Sequence, residues 1–257
     1  MLDKALSAVT GADVVVIDLE DGVPADLRHE AIANLCGLDP PPGAPPTLCR
    51  IRAGSEHRIS DATILPAWVR GAVLAKAEDV DDIEVVARAL RSRNPGFEVW
   101  LLIESARGVE NLPAMLHAGV DIDGVLLGAG DLRADLGLFD DLDLRQIDFA
   151  RSRLVYACAA AGVPHVVDTP EAQIDPDDAF VQAVYNARGL GFTGKCAIHP
   201  NQLEPIRKAF EPSAEQIAWA HRVLAAEDGA RRLGTVMVDE ATKRTARRLL
   251  AAAEQRN

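Results

Sequence analysis

Short apolar runs alternating with amphipathic stretches dominate this chain and leave it few ways to fold. Seven runs read as strands: Asp13–Asp18, Thr47–Arg52, Ala72–Lys76, Glu98–Glu104, Gly124–Gly128, His165–Asp168 and Lys195–His199. Between them, stretches such as DVDDIEVVARALRSR and PDDAFVQAVYNARGLG space apolar residues helically, with acids in the first turn and Arg or Gly at the end. Strand and helix in strict alternation mean parallel pairing, because a parallel neighbour is reached only through a crossover. A closed (β/α) barrel and an open doubly wound sheet both meet that condition, and 257 residues suit either.

The charged residues choose between them. Asp18, Glu20 and Asp21 follow the first run, Arg50 and Arg52 lie on the second, Lys76 ends the third and Glu104 the fourth. Asp131 lies just past the fifth, Asp168 on the sixth and His199 on the seventh. An open sheet gathers such residues at one switch point, whereas a barrel brings every strand's C-terminal end to one mouth. The expectation is an α/β protein built on a (β/α)8 TIM-type barrel. No Gly-x-Gly-x-x-Gly or Walker loop follows any strand.

The stretch VVVIDLEDGV, residues 14–23, reads as an interior strand that ends in three acids within four residues. Acids so close repel one another unless a cation meets them. Arg50 offers a planar fork suited to a substrate carboxylate, or else a structural partner for those acids. Lys76 reads as an ion-pair partner of Glu20 or Asp21; a Schiff-base role competes, but the surrounding acids keep an amine protonated. His199, just ahead of Pro200, reads as a loop anchor.

Two further stretches, VWLLIESARG and GVLLGAGDLRADLG, each deliver one carboxylate, Glu104 or Asp131, into a turn of small residues. In the second turn Ala129 and Gly130 let a substrate approach the backbone closely. Two carboxylates on adjacent strands with room for water and substrate oxygens suit Mg²⁺, with Mn²⁺ as the alternative ion. Taken singly, each acid could instead cap a helix or pair with a base.

A net charge of −12 and a pI near 4.9 argue against nucleic acid or an anionic membrane as partner. The four cysteines form no CxxC pair, the remaining histidines lack ligand-spaced partners, and no Gly-x-Ser-x-Gly elbow occurs. No run of about 18 apolar residues or signal-like N-terminus is present, so a cytoplasmic protein is expected. The proline-rich LDPPPGAPPT reads as a stiff surface loop. Residues 1–211 read as the barrel, and residues 212–257 as a helical tail for packing, oligomer contact or a lid.

VVVIDLEDGVP, LCRIRAG, VLAKAED, LLIESARG, LLGAGDLRADLG and GFTGKCAIHPNQLEPIRKAF resemble, in order, the motifs of the citrate lyase beta-subunit and malyl-CoA lyase family, part of the HpcH/HpaI aldolase superfamily. The resemblance covers roughly residues 12–230. It implies a (β/α)8 barrel with Mg²⁺ on Glu104 and Asp131, and an oxo or hydroxy acid carboxylate near Arg50. It also implies cleavage or formation of a carbon–carbon bond beside a thioester. The substrates are then an acyl-CoA and an oxo acid, and the assembly a homotrimer or hexamer. Glu20, Asp21 and Lys76 join Arg50 as catalytic residues in a network facing the metal. Met237-Val238-Asp239 resembles the family's tail, from which an aspartate, here Asp239, acts as acid in a neighbouring subunit's site.

The sequence departs from that pattern in several places. The family's first strand has no counterpart ahead of Asp13, so the expectation is an open barrel, a start site placed too late, or replacement by another segment. Arg50-Ile51-Arg52 stands where Arg-x-Asn is usual, a change expected to act on substrate choice. Gly130 stands where an acid often precedes the metal aspartate, and the tail is short. Three functions remain: a lyase on citramalyl-CoA, malyl-CoA or citryl-CoA, a pyruvate-releasing aldolase on free hydroxy-keto acids, and a weakly catalytic ligand-binding or complex-forming subunit.

Overall fold

The computed structural model describes residues 5–7, 11–138, 144–226, 231–233 and 236–254, and divides the chain into two compact units, Met1–Ile206 and Arg207–Asn257. The first unit runs β1 (Val15–Asp18), α1 (Arg28–Cys36), β2 (Thr47–Ile51), α2 (Ser55–Ile64), β3 (Gly71–Leu74), α3 (Val80–Arg93), β4 (Glu98–Ile103) and α4 (Ala106–Met115). It continues through β5 (Gly124–Leu127), α5 (Ala129–Asp135), α6 (Asp148–Ala161), β6 (His165–Asp168), α7 (Asp178–Leu190) and β7 (Gly194–Lys195) to α8 (Leu203–Phe210).

The seven strands form one sheet in sequential order, β1 to β7, with every pair parallel. A doubly wound sheet would reverse its order at a switch point, so that alternative is excluded. Local chemistry sets the helices between strands. In α3, Asp79 caps the N-terminus by accepting from the Asp81 and Asp82 amides, Arg91 and Arg93 stand in the last turn, and Ile83, Val86, Ala87 and Leu90 form the buried stripe.

Paired register carries one face of the sheet through Asp18, Arg50, Val73 and Trp100, and another row through Leu102, Leu126 and Val167. Leu48, Val73, Trp100, Leu102 and Leu126 pack together there, with Val167 and Cys196 against them. The alternate residues, among them Cys49, Ile51, Leu74, Leu101, Ile103 and Leu127, are buried on the opposite face. Each such Leu or Ile contributes roughly 1.5–3 kcal/mol through burial. Both faces are thus apolar until the strands' C-terminal ends, where charge begins.

Several expectations change. Among the described residues the valine run stands at the sheet's edge and not inside it: β1 pairs with β2 alone, and Val14 and Val16 are 37% and 42% exposed. β3 starts at Gly71 and stops at Leu74, so Lys76 lies in the turn beyond it. β7 holds only Gly194 and Lys195, leaving His199 off the strand. Gln202 explains why: its buried side chain accepts from the Ile198 and His199 amides and donates to the Glu171 and Gln173 carbonyls, pulling the chain out of the sheet. His199 is the anchor expected, its Nδ1 accepting from the Asn201 amide with Pro200 opening the next turn.

In the second unit, α9 (Ala214–Leu224) and α10 (Glu240–Glu254) flank an antiparallel hairpin, β8 (Arg231–Leu233) and β9 (Val236–Val238), where only helices were expected. Ala220, Val223, Val238 and Ala246 form its small core, and the buried Lys243 donates from Nζ to the Ala226 carbonyl at 2.9 Å.

Candidate active site

The turn after β1 folds around the Asp18 carboxylate. Oδ1 accepts from the Glu20 amide and Oδ2 from the Gly22 amide, at 2.9 and 2.8 Å. A Cβ at Gly22 would lie 2.3 Å from Oδ2, so this close approach requires glycine. Arg50, on the neighbouring strand in direct register, donates from Nε and Nη2 to the same carboxylate at 2.7 and 2.6 Å. Burial works to raise the Asp18 pKa, but these donors outweigh it and hold the carboxyl below its ordinary value. The same bonds push Arg50 higher still.

Arg50 Nη1 faces Glu20 Oε2 at 3.1 Å, and Lys76 Nζ lies 3.5 Å from Glu20 Oε1 and 3.6 Å from Asp21 Oδ2. The three acids after β1 are therefore met by two cations, as their crowding demands. Arg50 takes the structural-partner role, with all three guanidinium nitrogens turned to Asp18 and Glu20. Desolvation works to lower the Lys76 pKa, but the charges of Glu20, Asp21 and Asp131 win and raise it, which argues against a Schiff-base nucleophile.

Lys76 has φ of 48°, a left-handed conformation rare for a non-glycine residue. Three bonds show what the strain secures. The Lys76 amide donates to Glu104 Oε1 at 2.8 Å, and Arg58, 2% exposed, donates from Nη2 to the Ala75 and Lys76 carbonyls. Arg58 also pairs with Asp82, and burial lowers its pKa to about 10 against the pull of nearby acids. Sequence reading missed this residue. Its one signal was an arginine in a helix segment whose neighbours, Ile59, Asp61 and Ala62, show mixed spacing.

Glu104 is 4% exposed. Desolvation raises its pKa to about 7, the Lys76 amide opposes this, Asp131 and Glu20 add to it, and Arg50 opposes it. Gly128 makes room for this carboxyl: a Cβ there would lie 2.6 Å from both Glu104 Cβ and Oε2. Asp131 stands exposed in the first turn of α5, close enough to act on both Glu104 and Lys76. Ala129 is buried, its amide donating to Thr169 Oγ1, while a Cβ at Gly130 would meet nothing within 4 Å. Five carboxylates and two cations thus share the strand ends, with open space before Gly130.

The donor set fits Mg²⁺. Among the described residues no group of three or more His, Cys, Asp or Glu side chains is placed to hold a metal unaided. Two carboxylates, with water and substrate supplying the other oxygens, is the arrangement Mg²⁺ prefers, and a dication relieves the repulsion that raises Glu104.

Two expected residues stand elsewhere. Asp168 points to the opposite face of β6 and is fully buried against Arg151 (2.9 Å from Nη2) and Lys195 (2.9 Å from Nζ). It is outside the mouth because register, invisible in a single strand, decides which face a residue takes. Arg52 donates through Nε and Nη2 to Asp61, which also accepts from Arg28, so its guanidinium is held at a structural carboxylate and not offered to substrate. Lys195 and Arg151 went unnoticed; a lysine on an apolar strand has to meet an acid, and Asp168 on the preceding strand was the available one. Asp239 belongs to the second unit and caps α10, with Oδ1 accepting from the Thr242 amide and hydroxyl at 2.8 Å each, bonds that hold its pKa low.

Residues 1–200 match the family model described as HpcH/HpaI aldolase/citrate lyase. A citrate lyase subunit beta-like protein of Mycobacterium tuberculosis is 34% identical over 251 residues, covering 92% of this chain and 86% of the relative. The mitochondrial citramalyl-CoA lyase of Rattus norvegicus is 26% identical over 245 residues, covering 86% and 71%. The crystal structure of CitE from Mycobacterium tuberculosis in complex with magnesium, acetoacetate and coenzyme A superposes with a TM-score of 0.80 at 30% identity, covering 96% of this chain and 91% of that one.

Proposed function

Because the chain belongs to the HpcH/HpaI aldolase/citrate lyase family, we propose that it is a Mg²⁺-dependent carbon–carbon lyase cleaving a 3-hydroxyacyl-CoA to acetyl-CoA and an oxo acid. The citramalyl-CoA, malyl-CoA and citryl-CoA type of substrate is favoured by the names of its relatives and by the magnesium, acetoacetate and coenzyme A of the similar CitE structure. The observation that carries the reading is Glu104: a buried carboxyl raised to about 7 by desolvation, with Asp131 and Glu20 adding to the rise and Arg50 only partly offsetting it.

Glu104 and Asp131 would hold the ion, which when bound supplies a Lewis acid for the oxygens of the oxo acid. The chain's own residues do the rest. Gly128 and the strained Lys76 turn orient Glu104. Gly130 leaves substrate a path to the backbone. As the carbon–carbon bond breaks, negative charge grows on the thioester oxygen, and Arg50, fixed by Asp18, keeps a permanent positive charge at the mouth. Lys76 stays protonated and balances Glu20 and Asp21. Asp239 is the proposed acid for the enolate, supplied by a neighbouring copy of a homo-oligomer; as described it is an ionised helix cap, so this role requires release of its Thr242 bonds.

The same reading treats the sheet as a (β/α)8 barrel with one more strand between β1 and β7. Its support is the unbroken parallel order and the exposure of Val14 and Val16 on the unpaired edge.

The test is product analysis of citramalyl-CoA, malyl-CoA and citryl-CoA with Mg²⁺ or EDTA, with Glu104→Ala as control. Acetyl-CoA and a matching oxo acid, lost with EDTA and in the variant, support the proposal. Turnover of free hydroxy-keto acids without CoA would move the chain to the aldolase reading, and ligand binding with no turnover to that of a non-catalytic subunit.

A further inference from the structure

The proposed metal site has one weak point in its geometry. Glu104 is clamped by the Lys76 amide and by Gly128, but Asp131 rides on α5, a helix of seven residues that begins only two positions before it. Something has to hold the start of that helix. Gly128 donates its amide to the Ile103 carbonyl at 2.9 Å, the last rung that ties the segment to β4. The next amide, on Ala129, leaves the sheet and donates instead to Thr169 Oγ1 at 3.2 Å, a buried bond reaching 40 residues along the chain.

Thr169 is itself fixed from behind. It is 3% exposed, and its carbonyl accepts from Lys195 Nζ at 2.7 Å. That ammonium also donates to Asp168 Oδ2 at 2.9 Å and lies 3.0 Å from Glu171 Oε1. Asp168 accepts in turn from Arg151 Nε and Nη2 at 3.2 and 2.9 Å. A backbone carbonyl anchored by a buried ionic cluster fixes the Thr169 main chain, so the hydroxyl that meets the Ala129 amide is carried on a rigid segment.

We propose that Thr169 is a positioning residue for the metal carboxylate Asp131, acting through the Ala129 amide, and that the Arg151–Asp168–Lys195 cluster serves this by fixing Thr169 from the outer face of the sheet. The inference rests on the proposed Mg²⁺ site. Without the hydroxyl acceptor, the Ala129 amide loses its partner, the first turn of α5 loosens, and Asp131 spends less time in binding geometry. Outer contacts of this kind alter metal affinity by about 10–100-fold.

The experiment is calorimetric titration of the full chain with MgCl2, together with melting temperatures in EDTA, for wild type, Asp131→Asn, Thr169→Val and Thr169→Ser. The expected result is tight binding by wild type, none by Asp131→Asn, a dissociation constant raised about 10-fold in Thr169→Val, and near-wild-type binding in Thr169→Ser, which keeps the acceptor. Melting in EDTA should separate positioning from folding, with Thr169→Val falling no further than one lost buried hydrogen bond explains. Wild-type affinity in Thr169→Val, or equal losses in the Ser and Val variants, would overturn the inference. If Val does not fold, Thr169→Ala carries the same expectation. Failure of wild type itself to bind Mg²⁺ would overturn the metal reading instead, a result separate from any change at Thr169.

Discussion

Two clusters of charge lie on opposite faces of one sheet. At the mouth, Asp18, Glu20, Asp21, Glu104 and Asp131 gather around Arg50 and Lys76, with Arg58 buried nearby and paired to Asp82. Behind β6 and β7, Asp168 and Glu171 face Arg151 and Lys195, and the partly exposed Asp148 adds a third acid at Arg151. The outer cluster is paired throughout: the lysine is wholly buried against Asp168, and each member has hydrogen bonds or an ion pair. The mouth is not paired in this way: burial raises the Glu104 pKa to about 7, and the neighbouring acids Asp131 and Glu20 add to the rise. Burying charge in pairs is a structural device; leaving acids in excess at a cleft invites a cation.

The sharpest way to break that contrast is Glu104→Gln. It keeps the acceptor for the Lys76 amide but removes a proposed metal ligand, so Mg²⁺-dependent turnover should fall by about 1,000-fold or more, while melting in EDTA holds or rises. Retained turnover would end the distinction. Lys195→Met should act chiefly on stability, costing roughly 3 kcal/mol by leaving Asp168 to Arg151 alone and removing the ion pair of Glu171, as read from denaturant unfolding. A Lys195→Met protein as stable as wild type would show that the outer cluster is not the structural one.

Gly128→Ala drives a methyl into Glu104 and should weaken Mg²⁺ about 10-fold while lowering stability by about 1–3 kcal/mol; unchanged affinity would show that Glu104 has slack. The smallest effect is that of pH. Glu104 rises from 4.5 to about 7 on folding, so its contribution to metal-free stability is complete below 4.5 and is lost as pH climbs through about 7. Mg²⁺ affinity should run the other way, increasing from pH 6 to 8 and levelling above. Melting in EDTA that improves over the same range would contradict the assignment.

Much of this was legible from the residues alone. Strand spacing gave the parallel order, and the crowding of Asp18, Glu20 and Asp21 called for Arg50 and Lys76. What escaped depends on register and pairing. Nothing in HVVD tells which face Asp168 takes until β6 pairs with β5, and Arg52 looked available because Asp61, its partner, sits on a different element. Val14–Ile17 reads as an interior strand because β-branched composition records burial propensity and not the number of neighbours; β1 has one. Arg58, whose work is done on backbone carbonyls, leaves no pattern for spacing to detect.

The left-handed turn at Lys76 has a consequence for adaptation. A glycine or asparagine would adopt φ of 48° with less steric strain, roughly 1 kcal/mol less, although glycine gives part of this back as backbone entropy. Selection for heat resistance alone would then replace the lysine, and selection for turnover would restore it. Lys76→Gly should melt no lower than wild type and turn over more slowly, which makes position 76 a place where durability and chemistry pull the sequence in opposite directions.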